Sequence, residues 1–248
     1  MTDLQKRTIP HKLSGANGSS VMKFEIEPDD MRPTPEVVAR YFGGPDYQMT
    51  PETQERVCQG IQQAVEMVQG VVCYRAIPMH TVEKECGIDL SEVPYTDMLS
   101  DIADDSRYVA VFVGTLGSAL ETMCRELAGR NRIYQSLLLD AVGTAMLDDM
   151  GLICNDLLEM HAKALDLFTG CRIGPGLNGV AMESQSLVFD LLDVETMGVH
   201  LNEAFIMQPA KSISGIVFFS DSPQRKPPGS KCLQCEMKHC QFRSTQQQ

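Results

Sequence analysis

Apolar residues recur at helical spacing over Val57, Ile61, Val65 and Val68, predicting a helix that opens at Thr50-Pro51-Glu52-Thr53, runs to about Gln69 and closes at Gly70. An earlier helix is predicted at Thr34-Pro-Glu-Val-Val-Ala-Arg-Tyr41, with Thr34 as N-cap, Pro35 at the first helical position and Gly43-Gly44 as the stop. Val71 to Ile77 reads as a strand, and Tyr108 to Val113 is apolar enough to predict a strand buried on both faces. After Gly114-Thr-Leu-Gly117 the helical pattern returns, giving predicted helices to about Ala128, from Ile133 to Met150 and from Leu152 to Phe168. Small residues at Ala141, Gly143 and Ala145 let neighbouring elements pack closely. A short helix is expected from Ser184 to Leu192, and a strand end at Val217 to Phe219. Helices and strands intersperse without a regular βαβ repeat, so the fold class is α+β. No internal repeat or coiled-coil heptad is evident.

Residues 1–30 are polar and include Ser14-Gly-Ala-Asn-Gly-Ser-Ser20, which predicts a flexible N-terminal arm ahead of a core over 31–222. From Pro223 the composition shifts through Pro227-Pro228-Gly229-Ser230 into a cysteine-rich stretch, so 223–248 reads as a linker and metal-binding tail. The 248 residues, 43% of them hydrophobic, suffice for one substantial domain. A formal charge of -12 argues against a surface that wraps nucleic acid, since phosphate binding needs clustered Lys and Arg. Neither a signal-peptide core nor a run of membrane-spanning length is present, so the expectation is a cytoplasmic protein with no membrane partner. In that reducing compartment nine cysteines do not imply a disulfide framework. They pose the question of which are buried thiols and which are ligands.

Arg172 precedes a turn built from Gly174, Pro175, Gly176 and Gly179, where missing side chains let a ligand approach the backbone. A guanidinium beside such a turn suits a carboxylate, whose two oxygens match its planar fork. The alternative is an ordinary helix-to-strand loop whose arginine pairs with an acidic neighbour. Lys211, Ser212 and Ser214 lie in Pro209-Ala-Lys-Ser-Ile-Ser-Gly215, where the serines fit local backbone bonding and Gly215 close packing. Lys211 remains a candidate for a cleft. Cys232, Cys235 and Cys240 have C-x2-C-x4-C spacing, which suits one metal centre. A 4Fe-4S cluster would want a fourth thiolate from Cys171, Cys58, Cys73, Cys86, Cys124 or Cys154. Zinc could use the same partner or His239, although adjacency to Cys240 makes His239 awkward. His80, His161 and His200 are isolated, and no H-E-x-x-H, G-x-S-x-G or Walker A pattern occurs.

The order Arg172-Ile-Gly-Pro-Gly-Leu-Asn-Gly179, Phe189-Asp-Leu-Leu-Asp193 and Met207-Gln-Pro-Ala-Lys-Ser-Ile-Ser-Gly215 resembles the activation domain of cobalamin-dependent methionine synthase. The resemblance covers roughly Met31 to Asp221 and is strongest to stand-alone relatives of that domain. It implies a mainly antiparallel sheet with flanking helices, and S-adenosylmethionine held by Arg172 and the glycine turn. Lys211 would then lie near a corrinoid carboxamide or phosphate. The implied partner is a corrinoid-binding protein or corrinoid methyltransferase whose cobalamin is reactivated. Because taking Co(II) to Co(I) requires one electron, an iron-sulfur cluster at Cys232, Cys235 and Cys240 acting as the relay is the preferred reading of their spacing. A non-catalytic corrinoid-protein partner or chaperone with a structural zinc tail is the alternative. The chain departs from the family pattern at Leu177 and Asn178, where an aromatic and a proline are usual. Asp29, Asp30 and Asp46 are positional candidates for the family's N-terminal acidic ligand.

Overall fold

The computed structural model describes residues 20–44, 46–82, 105–170, 172–176, 180–192 and 194–223. Its centre is a five-stranded antiparallel sheet in the order β1-β2-β3-β7-β4. The strands are β1 (Met22–Ile26), β2 (Gly70–Pro78), β3 (Ser106–Thr115), β4 (Phe168–Thr169) and β7 (Ser212–Ser220). A separate hairpin pairs β5 (His200–Leu201) with β6 (Met207–Gln208). Among the described residues five α-helices accompany them: α1 (Pro35–Gly43), α2 (Pro51–Met67), α3 (Ala119–Gly129), α4 (Ile133–Ala164) and α5 (Ser184–Leu191). This is the α+β, antiparallel architecture expected.

Period-two alternation divides the central strands between two apolar layers. Val72, Tyr74, Ala110, Phe112, Val217 and Phe219 join the larger layer, which includes buried residues of α1 to α4. Cys73, Ile77, Val109, Val111, Ile216 and Phe218 join the smaller one with Val188 and Leu191 of α5. β3 is therefore covered on both faces, as its continuous apolar run predicts. The stripe on α2 behaves as expected too: Val57, Ile61 and Val68 are buried, and Thr50 caps the helix by accepting from the Thr53 N–H at 3.2 Å.

Three expectations need correction. The helices predicted on either side of Gly151 are one helix of 32 residues, α4. Its buried stripe continues across the glycine through Met146, Met150, Ile153, Cys154 and Leu157, and that burial outweighs the ~1 kcal/mol that a helical glycine costs. Phe168, assigned to the end of that helix, instead starts β4 after a left-handed Asp166 (φ 58°). Residues 22–30 are not an arm, because β1 pairs with β2 and Phe24 stacks on Tyr74 at 6.0 Å. Ser14 and its neighbours in the remainder of the arm, and the tail from 224, lie outside the described residues.

His161 is buried in the larger layer, sharing a 3.1 Å hydrogen bond through Nδ1 with Tyr74 Oη and lying against the Phe219 ring. Its neighbour Glu159 pairs with Lys163 instead. Burial lowers the imidazole pKa and pushes that of the Tyr74 phenol up to about 12. The unfolded chain therefore binds the proton more readily, and stability rises with pH in the window below the ordinary histidine value of about 6.5. Urea unfolding should show stability falling from pH 7.5 to 5.5, with a slope of at most about 1.4 kcal/mol per pH unit from this group. His161→Gln should lose that component.

Candidate functional site

The segment leaving α4 runs back along the outer edge of β7. Phe168 and Thr169 pair with Ser220 and Phe219, Gly170 N–H donates to Phe218 O at 2.8 Å, and Ile173 exchanges two 2.8 Å bonds with Ile216. Ile173 turns to the smaller apolar layer. Arg172, its neighbour, lies on the other face between β7 and α4.

Two missing side chains make that path possible. A Cβ at Gly215 would sit 2.9 Å from Arg172 Cγ and 2.6 Å from Phe112 Cε1, and one at Gly151 would sit 2.6 Å from Arg172 Nη1. The half-buried guanidinium makes one long hydrogen bond, 3.4 Å from Nη1 to Gly151 O, and pairs with no carboxylate among the described residues.

The turn beyond Arg172 closes through Gly176 N–H to Val180 O at 3.0 Å, with Gly176 at φ 76°. Gly174 is half-buried and Pro175 buried, while the flexible Met182 side chain packs against Gly176. Gly179, Leu177 and Asn178 lie outside the described residues.

Lys211 does not converge on this turn. Its ammonium pairs with Asp140 at 2.9 Å and donates to Thr144 Oγ1 at 2.8 Å, crossing Gly143 on the way. Those contacts lie about 10 to 16 Å along α4 from Gly151. Ser212 donates to Pro209 O at 2.8 Å and bonds Thr115 Oγ1 at 2.9 Å, the local role expected of it. Ser214 reaches further, to Gln185 Oε1 at 2.9 Å. Of the acidic candidates, Asp29 pairs with Arg32 at 2.8 Å and Asp46 is exposed.

Some features had no separate signal in the sequence. Tyr41, Phe42, Leu137, Asp140, Ala141 and Thr144 line an open cleft of about 390 Å³ between α1 and α4. Tyr41 donates to Asp148, and burial together with that carboxylate raises the pKa of its phenol. Thr144, Asp148 and Gly151 follow at three- and four-residue spacing, so the cleft and the Arg172 contact share one face of α4. The i, i+3, i+4 stripe was visible in principle, but its mixture of polar and apolar residues hid it.

Metal ligation cannot rest on the described thiols with equal ease. Burial pushes the Cys154 pKa up to about 12 against the pull of nearby Arg172, and that of Cys124 up to about 11. In the absence of a metal, burial thus disfavours the thiolate form at both positions. Cys73 is buried and Cys58 exposed. Cys232, Cys235, Cys240, Cys171, Cys86 and His239 fall outside the described residues. Among the described residues, no group of three His, Cys, Asp or Glu could hold a metal, and no helix is long and apolar enough to cross a membrane.

The crystal structure described as the MetH reactivation domain bound to AdoHcy shares this fold, at a TM-score of 0.61 and 13% identity, over 84% of this chain and 81% of that one. The family described as vitamin B12 dependent methionine synthase, activation domain, matches residues 79–225, and the chain belongs to that family. No curated protein matches it.

The packing at the two glycines gives contrasting expectations. Gly215→Ala should destabilise the protein by about 1–3 kcal/mol, because the opposing Phe112 ring is fully buried. Gly151→Ala should be nearly neutral in the same denaturation experiment, since the displaced group is the end of a flexible arginine and alanine favours the helix.

Proposed function

We propose that this chain binds S-adenosylmethionine at Arg172 and its glycine turn, and acts with a separate corrinoid-binding protein or corrinoid methyltransferase to reactivate the cobalamin. The observation that carries the reading is a half-buried guanidinium with no carboxylate partner among the described residues, beside a glycine turn, in a chain of the activation-domain family. The amino-acid carboxylate of the ligand supplies the missing counter-charge. Gly174, Pro175 and Gly176 border the same path, so the reading assigns them to ligand contact, with Gly179 following in sequence. Lys211, already paired to Asp140, serves the cleft wall rather than the ligand's carboxylate. No residue is assigned a bond-making role, because binding and orientation are the protein's contribution.

Cys232, Cys235 and Cys240 offer three thiolates at a spacing that suits an iron-sulfur cluster. Such a cluster supplies single electrons, the requirement for returning an inactive Co(II) corrinoid to its reactive state. The raised thiol pKa values of Cys124 and Cys154 favour a fourth ligand from elsewhere. A zinc centre would turn the reading toward a corrinoid-protein partner or chaperone with a folded tail.

Two measurements test this. In calorimetric titration with AdoHcy, Arg172→Met should weaken binding about 10- to 100-fold, the worth of a charge-assisted pair, while the apolar stem keeps its place over Gly215. Unchanged affinity would remove Arg172 from the site. Anaerobically purified protein should carry about four irons and four sulfides per chain, with an absorption band near ~400 nm that dithionite bleaches. One zinc and a featureless spectrum would eliminate the electron relay.

A further inference from the structure

Half of the large apolar side chains left exposed among the described residues gather where α1 and the first turns of α4 meet. Ile133 and Leu137 follow at helical spacing on one face of α4, and on α1 Val37 lies one turn before Tyr41. Between the two helices three aromatic rings interlock. Tyr134 meets Phe42 edge to face at 5.2 Å, and Phe42 meets Tyr47 in the same way at 6.2 Å. Tyr47 is seated by the absent side chain of Gly43, where a Cβ would sit 2.2 Å from its Cγ. The Arg56 guanidinium of α2 lies 5.4 Å from the centre of the Tyr134 ring. The surface is therefore held in shape before any partner arrives, which lowers the entropic cost of docking.

The size of the patch decides what it can support. Val37, Tyr47, Ile133, Tyr134 and Leu137 are 37–58% exposed. At about 200 Å² for a whole side chain, the five together display roughly 400 Å². Single exposed apolar side chains are ordinary, but a contiguous patch of that size marks an interface. A standard interface takes about 800 Å² from each partner, a little over half of it apolar. The patch thus matches the apolar area that one subunit contributes to a stable dimer.

Shape and charge both select a second copy of this chain as the occupant. Leu137, the most exposed of the five, borders the open cleft of about 390 Å³ that Tyr41 and Phe42 also line. A projecting side chain beside a hollow is self-complementary about a two-fold axis, because each copy offers both. The charges around the face occur in opposite pairs: Arg56 with Glu52 at 2.6 Å, Arg130 with Glu126 at 3.5 Å and Lys211 with Asp140 at 2.9 Å. A partner of a single sign finds no matching field there, whereas an identical rim of alternating sign can set each charge against its opposite. That balance matters in a chain of formal charge -12, because two copies repel each other at long range. We propose that this face joins two copies of the chain in a two-fold dimer, with Leu137 of each copy entering the other's cleft. Leu137 stands about 21 Å along α4 from Gly151, so the dimer leaves the Arg172 site open.

Sedimentation equilibrium of the full-length chain tests this, on the wild type, Leu137→Asp, Ile133→Asp and, as a control on the same helix, Leu152→Asp. The wild type should sediment as a dimer at micromolar concentration. Leu137→Asp is present twice in the dimer and should raise its dissociation constant about 100-fold or more. Its circular dichroism should match that of the wild type, since the side chain it replaces is 58% exposed in the single chain. Ile133→Asp should act in the same direction while placing an acidic group in the first turn of α4, where it favours the helix. It decides the matter if Leu137→Asp fails to fold. Leu152→Asp, at a side chain 48% exposed, should leave the dimer intact. A monomeric wild type overturns the inference and leaves the face to a partner of another kind. A dimer that survives folded Leu137→Asp, or one that Leu152→Asp dissociates as readily, overturns it too.

Discussion

The close approach of α4 to β7 governs the arrangement at the sheet edge. With side chains absent at Gly151 and Gly215, the arginine stem lies between helix and strand and its charged end emerges half-buried. The fold thus holds the guanidinium half-buried with no carboxylate partner among the described residues. The same stretch of β7 is also the strand on which the Ile173 bridge and the Ser214–Gln185 bond converge.

The two apolar layers accommodate polar groups differently. In the larger layer His161 is matched by Tyr74, and burial keeps the imidazole neutral through physiological pH. In the smaller layer Ser184 and one end of the Gln185 amide are unmatched. The first arrangement completes a core, while the second leaves hydrogen-bonding capacity facing inward beside the turn. Lys211 belongs with the first kind, its charge offset by Asp140 at 2.9 Å and its stem packed over Gly143.

Much of the fold was legible because it follows local rules. The α2 stripe, the Thr50 cap and the doubly buried β3 depend on periodicity and on side chains near in sequence. The errors came where tertiary burial overrode those rules. Gly151 looks like a helix breaker until the apolar stripe on both sides is packed against a sheet. β1 looks like part of a polar arm until Phe24 finds Tyr74. The serines of Ser212-Ile-Ser-Gly215 obscured the first half of β7, whose strand character comes from pairing with β3 along its whole length.

For the site, the sequence by itself determined the chemical identities: an arginine, a glycine turn after it and a Lys-Ser-x-Ser-Gly element within the stretch that matches the family, and three clustered cysteines beyond that stretch. Side-chain chemistry and chain order are local properties, so they survive without coordinates. Only the tertiary structure decided which of these groups are free to act. It paired Lys211 with Asp140, left Arg172 without a carboxylate and one end of the Gln185 amide without a partner among the described residues, and raised the pKa values of the Cys124 and Cys154 thiols. Each of those outcomes depends on burial and on partners distant in sequence, and no spacing rule records them.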